Sequence, residues 1–508
     1  MVVAVTALIY LAVALIVGRL PVTDEVFFKA AGRQWAAGRG FGAPELAGAL
    51  GDVSPPVTEV FFLHPPLYPF LFGVWTRLLG FGARQCMGFD ASIHVLLAAL
   101  TFALAWRAFS SLGRARRWLA TGAAVAILPL GTAGRPDELA ICFSALSWFL
   151  LLTPNRRAIH VVLAGLVLGF CVGTSTGAAA ATGFVAVTLF LRTPDGQWSS
   201  FGPLLRSCLL FAGGTVAGIA IAVGPLLAAH PNALHQYLMH ARFLVGRVTI
   251  WHAWADAQPF AVKYYGFLLG TLASGLLAAI LVGTRRGWRV WASYGLGASL
   301  YLAFLGVFLA FRHSYTWFIG PWIFLSALHM IFLLANSPEK RMRAVFPAGL
   351  LAAGYLVFAV HFVKETIVVA TLPASQSLDA ASARLRSVIP VGATVLTKDL
   401  WWFLAERNRT YDPMFSHPPE DSIDYVALSA NGSGVPGKAA PLNSAVWSSS
   451  FTSRMLEVSN DLPRHPTRVL GLRLTNSSYG YGAIVYRMTP PLSRETATAV
   501  PQTRSPAP

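Results

Sequence analysis

Apolar runs of about twenty residues recur along most of this chain, and each can cross a hydrocarbon layer roughly 30 Å thick as a helix. No water is present in lipid to satisfy backbone N–H and C=O groups, so a chain of this kind folds as a bundle of helices. About eleven runs qualify by length. They are centred near Leu11, Leu100, Ile127, Leu146, Leu166, Thr188, Ala217, Leu272, Leu300, Phe324 and Leu351. Only 12% of the 508 residues are charged and 55% are hydrophobic, whereas a soluble domain carries roughly a quarter charged residues. The first run, Val2 to Val17, has no basic n-region and no small-residue cleavage site. It reads as a retained span rather than a cleaved signal peptide.

The formal net charge of +17 does not point to nucleic acid. Its basic residues sit in short loops between apolar runs, and no basic groove with aromatic platforms is visible. Arg107, Arg114, Arg116 and Arg117 follow the second run, and Arg156 and Arg157 follow the fourth. Arg192, Arg206, Arg285, Arg286, Arg289, Lys340, Arg341 and Arg343 continue the series. All fall on one side if the spans alternate, which makes that side, and the N-terminus, cytoplasmic. Of the acidic residues up to Glu365, only Asp195 and Glu339 share that side. The others crowd the opposite face. The four cysteines form no CxxC or Cys/His spacing and read as packing residues.

The stretch from Pro21 to Gly80 organises this pattern. It opens on Asp24-Glu25-Val26-Phe27-Phe28, passes through a Gly/Pro-rich loop, and closes on His64-Pro65-Pro66-Leu67-Tyr68-Pro69. Lys29 to Gly38 reads as a short amphipathic helix with Phe28, Ala31 and Trp35 along one face. Leu67 to Gly80 is apolar but too short to cross; Pro65-Pro66 suits the start of a helix lying in the outer interface. Residues 1–362 are expected to form the membrane domain, with 21–66 its first outer loop. Residues 363–489, with strand-like runs at Ala393–Leu396 and Asp424–Leu428 and helix-like runs at Ala380–Val388 and Leu400–Glu406, are expected to form a small extracytoplasmic α/β domain. Leu470–Leu474 and Ala483–Arg487 look like a closing pair of strands, and the Pro/Ser/Thr-rich residues 490–508 a disordered tail.

Three groups carry chemistry. Asp24-Glu25 fits a helix N-terminus, where carboxylates meet the helix dipole favourably. It also fits a general base at the membrane surface, deprotonating a hydroxyl or binding a cation that helps to do so. Arg135-Pro136-Asp137-Glu138 is a good helix start. The arginine is not needed for a cap, and it can orient Asp137 or meet a phosphate. Arg312, His313 and Tyr315 read either as interfacial snorkelling or as a phosphate grip for a lipid-linked substrate. Arg242 and Arg247 invite the same pair of readings. No HExxH or tight metal-ligand set appears, and no GxxxxGK[ST] nucleotide loop.

The acidic pair directly after the first span, the long outer loop ending in His64-Pro65-Pro66-Leu67-Tyr68-Pro69, and Arg135-Pro136-Asp137 before the fourth span resemble the GT-C glycosyltransferases. The branch most similar contains bacterial protein mannosyltransferases, the lipid A aminoarabinose transferase and lipopolysaccharide-core transferases. The resemblance covers roughly residues 6–336. It implies a polytopic α-helical protein of the bacterial plasma membrane, with its C-terminal domain extracytoplasmic. It implies inverting transfer of a hexosyl or pentosyl group from a polyprenyl-phosphate-linked sugar donor to a lipid, glycan or protein hydroxyl acceptor. Asp24 matches the catalytic base with Glu25 beside it, and Asp137 the second acidic position. Arg135, His64, Tyr68, Arg242, Arg247, Arg312, His313 and Tyr315 are the expected substrate-binding residues. No cofactor is implied with certainty, a divalent cation being the one candidate. One departure stands out: where many relatives carry Lys-Pro, this chain reads Thr174-Ser175-Thr176-Gly177.

A lipid-linked glycan flippase or transporter is the competing reading, and a non-catalytic membrane scaffold the third. Ion-coupled transporters place ionisable groups deep in their spans. The outer clustering of acids here favours the enzyme.

Overall fold

The computed structural model describes residues 24–48, 54–108, scattered positions within 110–122, 135–153, 156–175, 201–245, most of 377–429, and then 442, 447–462, 468–469, 472–473 and 482–490. The molecule is mostly helical, with a small sheet near the C-terminus. Two compact units emerge: residues 1–44 with 50–370, and residues 45–49 with 371–508.

In the first unit the described helices are α1 (Asp24–Ala36), α2 (Leu67–Leu79), α3 (Ala83–Ala108), α4 (Pro136–Leu151), α5 (Ala158–Val172), α6 (Phe201–Ala229) and α7 (Ala233–Val245). The first amphipathic helix begins at Asp24, five residues earlier than the sequence pattern suggests, and takes in the acidic pair. Carboxylates in a first helical turn face the positive end of the helix dipole, so the pair helps to start the helix. The expected short apolar helix is present as α2, starting after Pro65-Pro66 as a proline-rich entry should. Leu78 and Leu79 are exposed on it. Arg77 lies over the Trp35 ring and Trp35 packs on Phe70, tying α2 to α1. At their crossing, a Cβ on Gly32 would collide with the Pro69 carbonyl. Glycine is what lets the two backbones touch.

Of the expected spans, those near Leu100 and Ala217 lie in α3 and α6, the two helices among the described residues long and apolar enough to cross a membrane. Those near Leu146 and Leu166 lie in α4 and α5, of 16 and 15 residues. These helices are shorter than the runs suggest. Pro136 and its acids set the start of one, and a turn at Gly173 ends the other. The spans near Leu11, Ile127, Thr188, Leu272, Leu300, Phe324 and Leu351 lie outside the described residues. So do the expected domain boundary at 362/363 and all of the tail after Pro490.

Packing is close. Helices α5 and α6 run against each other through Gly165, Gly169, Gly214 and Gly218, where an added Cβ would strike a carbonyl of the facing helix. Small residues of this kind let apolar helices gain dispersion contacts in lipid, where no hydrophobic effect drives them together. Ser147 Oγ donates to the Ala164 carbonyl at 2.7 Å, joining α4 to α5. Arg107 Nη1 reaches the Phe149 carbonyl, joining the far ends of α3 and α4. Asp90, Asp137 and Glu138 therefore sit at one end of these helices and Arg107 at the other. All four cysteines are free thiols, three of them buried, as packing residues would be.

The second unit holds α8 (Leu378–Val388), β1 (Thr394–Lys398), α9 (Trp401–Leu404), β2 (Arg409–Tyr411), β3 (Tyr425–Ser429), α10 (Ser449–Ser453), β4 (Met455–Asn460), β5 (Arg468–Val469), β6 (Leu472–Arg473) and β7 (Ala483–Met488). Five strands form one sheet in the order β2-β1-β3-β7-β4. The β1 strand pairs in parallel with β2 and β3, and β7 is antiparallel to β3 and β4. Leu396, Val426, Leu428, Trp447, Phe451 and Met488 make its core. The expected closing pair is not formed: β6 pairs with β5 in a separate ribbon, and β7 lies between β3 and β4. Buried Ala483 and Val485 suit an interior strand, which two-residue β6 is too short to flank. Residues 45–49 also belong to this unit. The Glu45 carbonyl accepts from the Asp412 amide at 3.2 Å and from the Ser416 hydroxyl, with Leu46 fully buried.

Candidate functional site

Helices α1, α3 and α4 bring their N-terminal turns together with the loop 54–64 and the C-terminal turn of α5. Three polar groups form there.

The first is built on Lys29. It lies one helical turn after Glu25, so both face the same way from α1. Lys29 Nζ donates to Glu25 Oε2 at 3.1 Å and to Asp90 Oδ2 of α3 at 2.7 Å. Tyr68 Oη of α2 donates to Asp90 Oδ1 at 3.2 Å. Lys29 and Glu25 are 0% exposed. Burial by itself would lower the lysine pKa, but the carboxylates of Asp90 and Glu25 outweigh it and hold the ammonium above its ordinary value. Burial, then the charges of Asp90 and Glu25, push the Tyr68 phenol well up, so it stays a neutral donor. This cluster welds α1, α2 and α3 together. Asp90 is buried, its charge compensated by Lys29.

The second group is at the start of α4. Arg135 Nε donates to Asp137 Oδ2 at 3.1 Å, and Ser175 Oγ, just past α5, donates to Asp137 Oδ1 at 2.9 Å. The Arg135 guanidinium lies 5.2 Å from the centre of the Phe28 ring, within cation–π range. Glu138 meets His94 of α3 at 3.4 Å.

The third group is aromatic. His64 packs against Phe27, Phe28 and His240, with ring centres 5.1, 4.8 and 5.2 Å apart. Burial, then His240 and then Arg135, lower the His64 pKa well below its usual value. Burial lowers that of His240 to about 4. Both rings are therefore neutral at pH values near 7. The loop is held by Gln236 of α7. Its Nε2 donates to the Pro55 and Val60 carbonyls at 2.6 and 2.9 Å, and its Oε1 accepts from the Phe62 amide at 2.8 Å. Gln236 and His240 are one turn apart, so one face of α7 carries both the latch and the ring it delivers.

Asp24 opens α1 four residues before Phe28, and its side chain lies outside the described residues. Arg135 and His64 meet Phe28, with Asp137 on Arg135; Glu25 and Tyr68 belong to the lysine cluster, and the Tyr68 ring also packs on Phe28. Arg242 lies in α7 with its side chain outside the described residues. Arg247, Arg312, His313 and Tyr315 lie outside them altogether. Sequence reasoning missed Lys29, Asp90, Ser175, His240 and Gln236 as members of these groups. Only Lys29 carried a local signal, its i+4 spacing from Glu25. Among the described residues no group of three or more His, Cys, Asp or Glu side chains is assembled to hold a metal ion.

No protein-family model matches this chain, and no curated protein matches it. Among solved structures, its fold is similar to that of ArnT from Cupriavidus metallidurans bound to undecaprenyl phosphate. The TM-score is 0.56 at 13% identity, over 96% of this chain and 97% of that one. It is also similar to arabinofuranosyltransferase AftD from Mycobacteria, with a TM-score of 0.42 at 14% identity, over 96% of this chain and 41% of that one. The likeness to ArnT shows a shared fold over nearly the whole of both chains.

Proposed function

We propose that this chain is an integral-membrane glycosyltransferase of GT-C type that moves a sugar from a polyprenyl-phosphate donor to a hydroxyl acceptor, with inversion, on the extracytoplasmic face. The observation that carries this reading is the meeting of α1 and α4 at Phe28. A helix that starts on Asp24 packs there against a guanidinium held by Asp137. The fold shared with ArnT, a protein whose structure holds undecaprenyl phosphate, supports a lipid-phosphate donor. Localisation in a bacterial plasma membrane, with the acidic helix ends outward, belongs to the same proposal.

The chemistry divides among named groups. Asp24 takes the proton from the acceptor hydroxyl as its oxygen attacks the anomeric carbon. The bond from that carbon to the phosphate oxygen breaks, and its electron pair leaves with polyprenyl phosphate. Such a leaving oxygen is already acidic, so it needs a cation more than a proton donor. Arg135 supplies that charge beside Phe28. Asp137, with both oxygens engaged, orients Arg135 and does not act as a second base. Glu25, held by Lys29, is a structural carboxylate. Arg312, His313 and Tyr315 are carried over from the resemblance as further donor contacts, and Arg242 and Arg247 from their basic character in the same expected outer face. A divalent cation, if present, would assist ionisation of the acceptor hydroxyl at Asp24.

The test is sugar transfer in membranes containing the chain, from a panel of labelled polyprenyl-phosphate sugars, with wild type compared to Asp24→Asn. Transfer from one donor, lost in Asp24→Asn while the protein still accumulates, supports enzyme and base together. Transfer that survives moves the base elsewhere. Labelled lipid that crosses the bilayer without transfer would replace the enzyme with a flippase.

A further inference from the structure

We propose that Ser175 is a positioning residue: through Asp137 it sets the orientation in which Arg135 meets an anionic lipid phosphate. This deepens the glycosyltransferase reading and rests on it.

The argument starts from the two oxygens of Asp137. One accepts from Arg135 and the other from Ser175. All three side chains are buried, Ser175 being 5% exposed. A carboxylate held at one oxygen can still turn about its bond to the chain. Held at both, it has a fixed plane, and a hydroxyl bonding an ionised acceptor does this more strongly than a neutral pair. The plane of the carboxylate in turn fixes the edge of the guanidinium that carries Nε. The Phe28 ring beneath fixes its face.

Ser175 is itself anchored. Its amide donates to the Cys171 carbonyl at 3.0 Å, and Thr174 Oγ1 donates to the Phe170 carbonyl at 2.8 Å. Two residues earlier, the Gly173 carbonyl accepts from the Leu67 amide at 3.1 Å, at the start of α2 beside His64. The hydroxyl therefore projects from a turn pinned to two helices. Its position transmits the C-terminal end of α5 to the guanidinium. Nothing in the local sequence announces this, because a Gly/Ser/Thr-rich turn is an ordinary way to end a helix.

A residue that only stabilised the fold would weaken every ligand alike. One that orients a guanidinium should weaken a phosphate and spare the same lipid without it. The experiment titrates purified full-length protein in nanodiscs with undecaprenyl phosphate and, separately, with undecaprenol. Wild type, Ser175→Ala, Ser175→Thr, Arg135→Ala and the double variant Ser175→Ala/Arg135→Ala are compared. Ser175→Cys, of similar size and a weak donor, stands in should the alanine variant fail to fold. We expect Ser175→Ala to bind undecaprenyl phosphate about three- to tenfold more weakly, the scale of one typical net hydrogen bond. Undecaprenol binding should be unchanged and the threonine variant restored. In the Arg135→Ala background the same substitution should have no further effect, which is the signature of coupling. Unchanged phosphate binding in Ser175→Ala, or an equal loss with and without Arg135, overturns the role of Ser175 alone. A wild type that does not prefer the phosphate over the alcohol overturns the donor reading, and this inference with it.

Discussion

Lys29 Nζ and Asp90 Oδ2 lie 2.7 Å apart, joining helices α1 and α3 at a point sealed from solvent on the lysine side. A charge buried in this way is tolerated because its partners are present. Removing the lysine takes its ammonium away from both Glu25 and Asp90. The Lys29→Met variant is expected to lose about 3–5 kcal/mol of stability, the usual cost of breaking a buried pair. Thermal unfolding in detergent will read this as a lowered midpoint or a loss of monodisperse protein. Adding Asp90→Asn to Lys29→Met should recover part of the loss, since it removes one of the charges that the ammonium offset.

The two adjacent acids on α1 should separate cleanly. Asp24→Asn is expected to lower kcat by about 10²–10⁴, the range for removing a general base, with the unfolding midpoint unchanged. Glu25→Gln should do the reverse: the unfolding midpoint falls, because Lys29 loses the Glu25 carboxylate, while kcat stays closer to wild type. Transfer rates and unfolding curves measured on the same preparations decide between the two. Equal effects on both quantities from both variants would remove the division of labour proposed here.

Gln236 is the latch of the loop 54–64. In Gln236→Leu the Pro55 and Val60 carbonyls and the Phe62 amide all lose their partner. A buried orphan group costs about 1–3 kcal/mol. Relief is expected by local opening of the loop rather than by global unfolding. Hydrogen exchange at Val60 and Phe62 should rise sharply, while α5 and α6 stay protected. His64 would then lose its packing against His240, and the apparent affinity for donor should fall.

Acid should loosen the same region. His240 has a folded pKa of about 4, below its ordinary 6.5, and His64 is shifted the same way. The unfolded chain therefore takes up these protons first as pH falls. The contribution to stability is complete above pH 6.5 and is lost as pH drops from there through about 4. The unfolding midpoint should decline over this window. In His240→Phe, which keeps a ring on Phe27 without a titrating group, the decline should be shallower, the remainder belonging to His64 and to carboxylates.

The features that sequence alone determined are local ones. Apolar runs set the helices, because a lipid-spanning segment must be helical. The acidic pair at Asp24, Pro65-Pro66 before α2, and Arg135-Pro136-Asp137 before α4 mark helix starts through dipole and proline geometry, which act within one turn. Which carboxylate does what was decided only in three dimensions. The i+4 spacing hinted that Glu25 pairs with Lys29, but that Lys29 also meets Asp90, 61 residues away, was settled only by the packed chain. Arg135 could be read as orienting Asp137, but nothing local pointed to Ser175, 38 residues on, as the partner of its second oxygen. The loop that carries His64 is held by Gln236, 174 residues from Phe62. Hydrogen bonds and ion pairs of this kind form where the packed chain brings partners within about 3 Å. No local pattern of residues encodes which distant partner will arrive, so the helices were legible in the sequence and the wiring of the site was not.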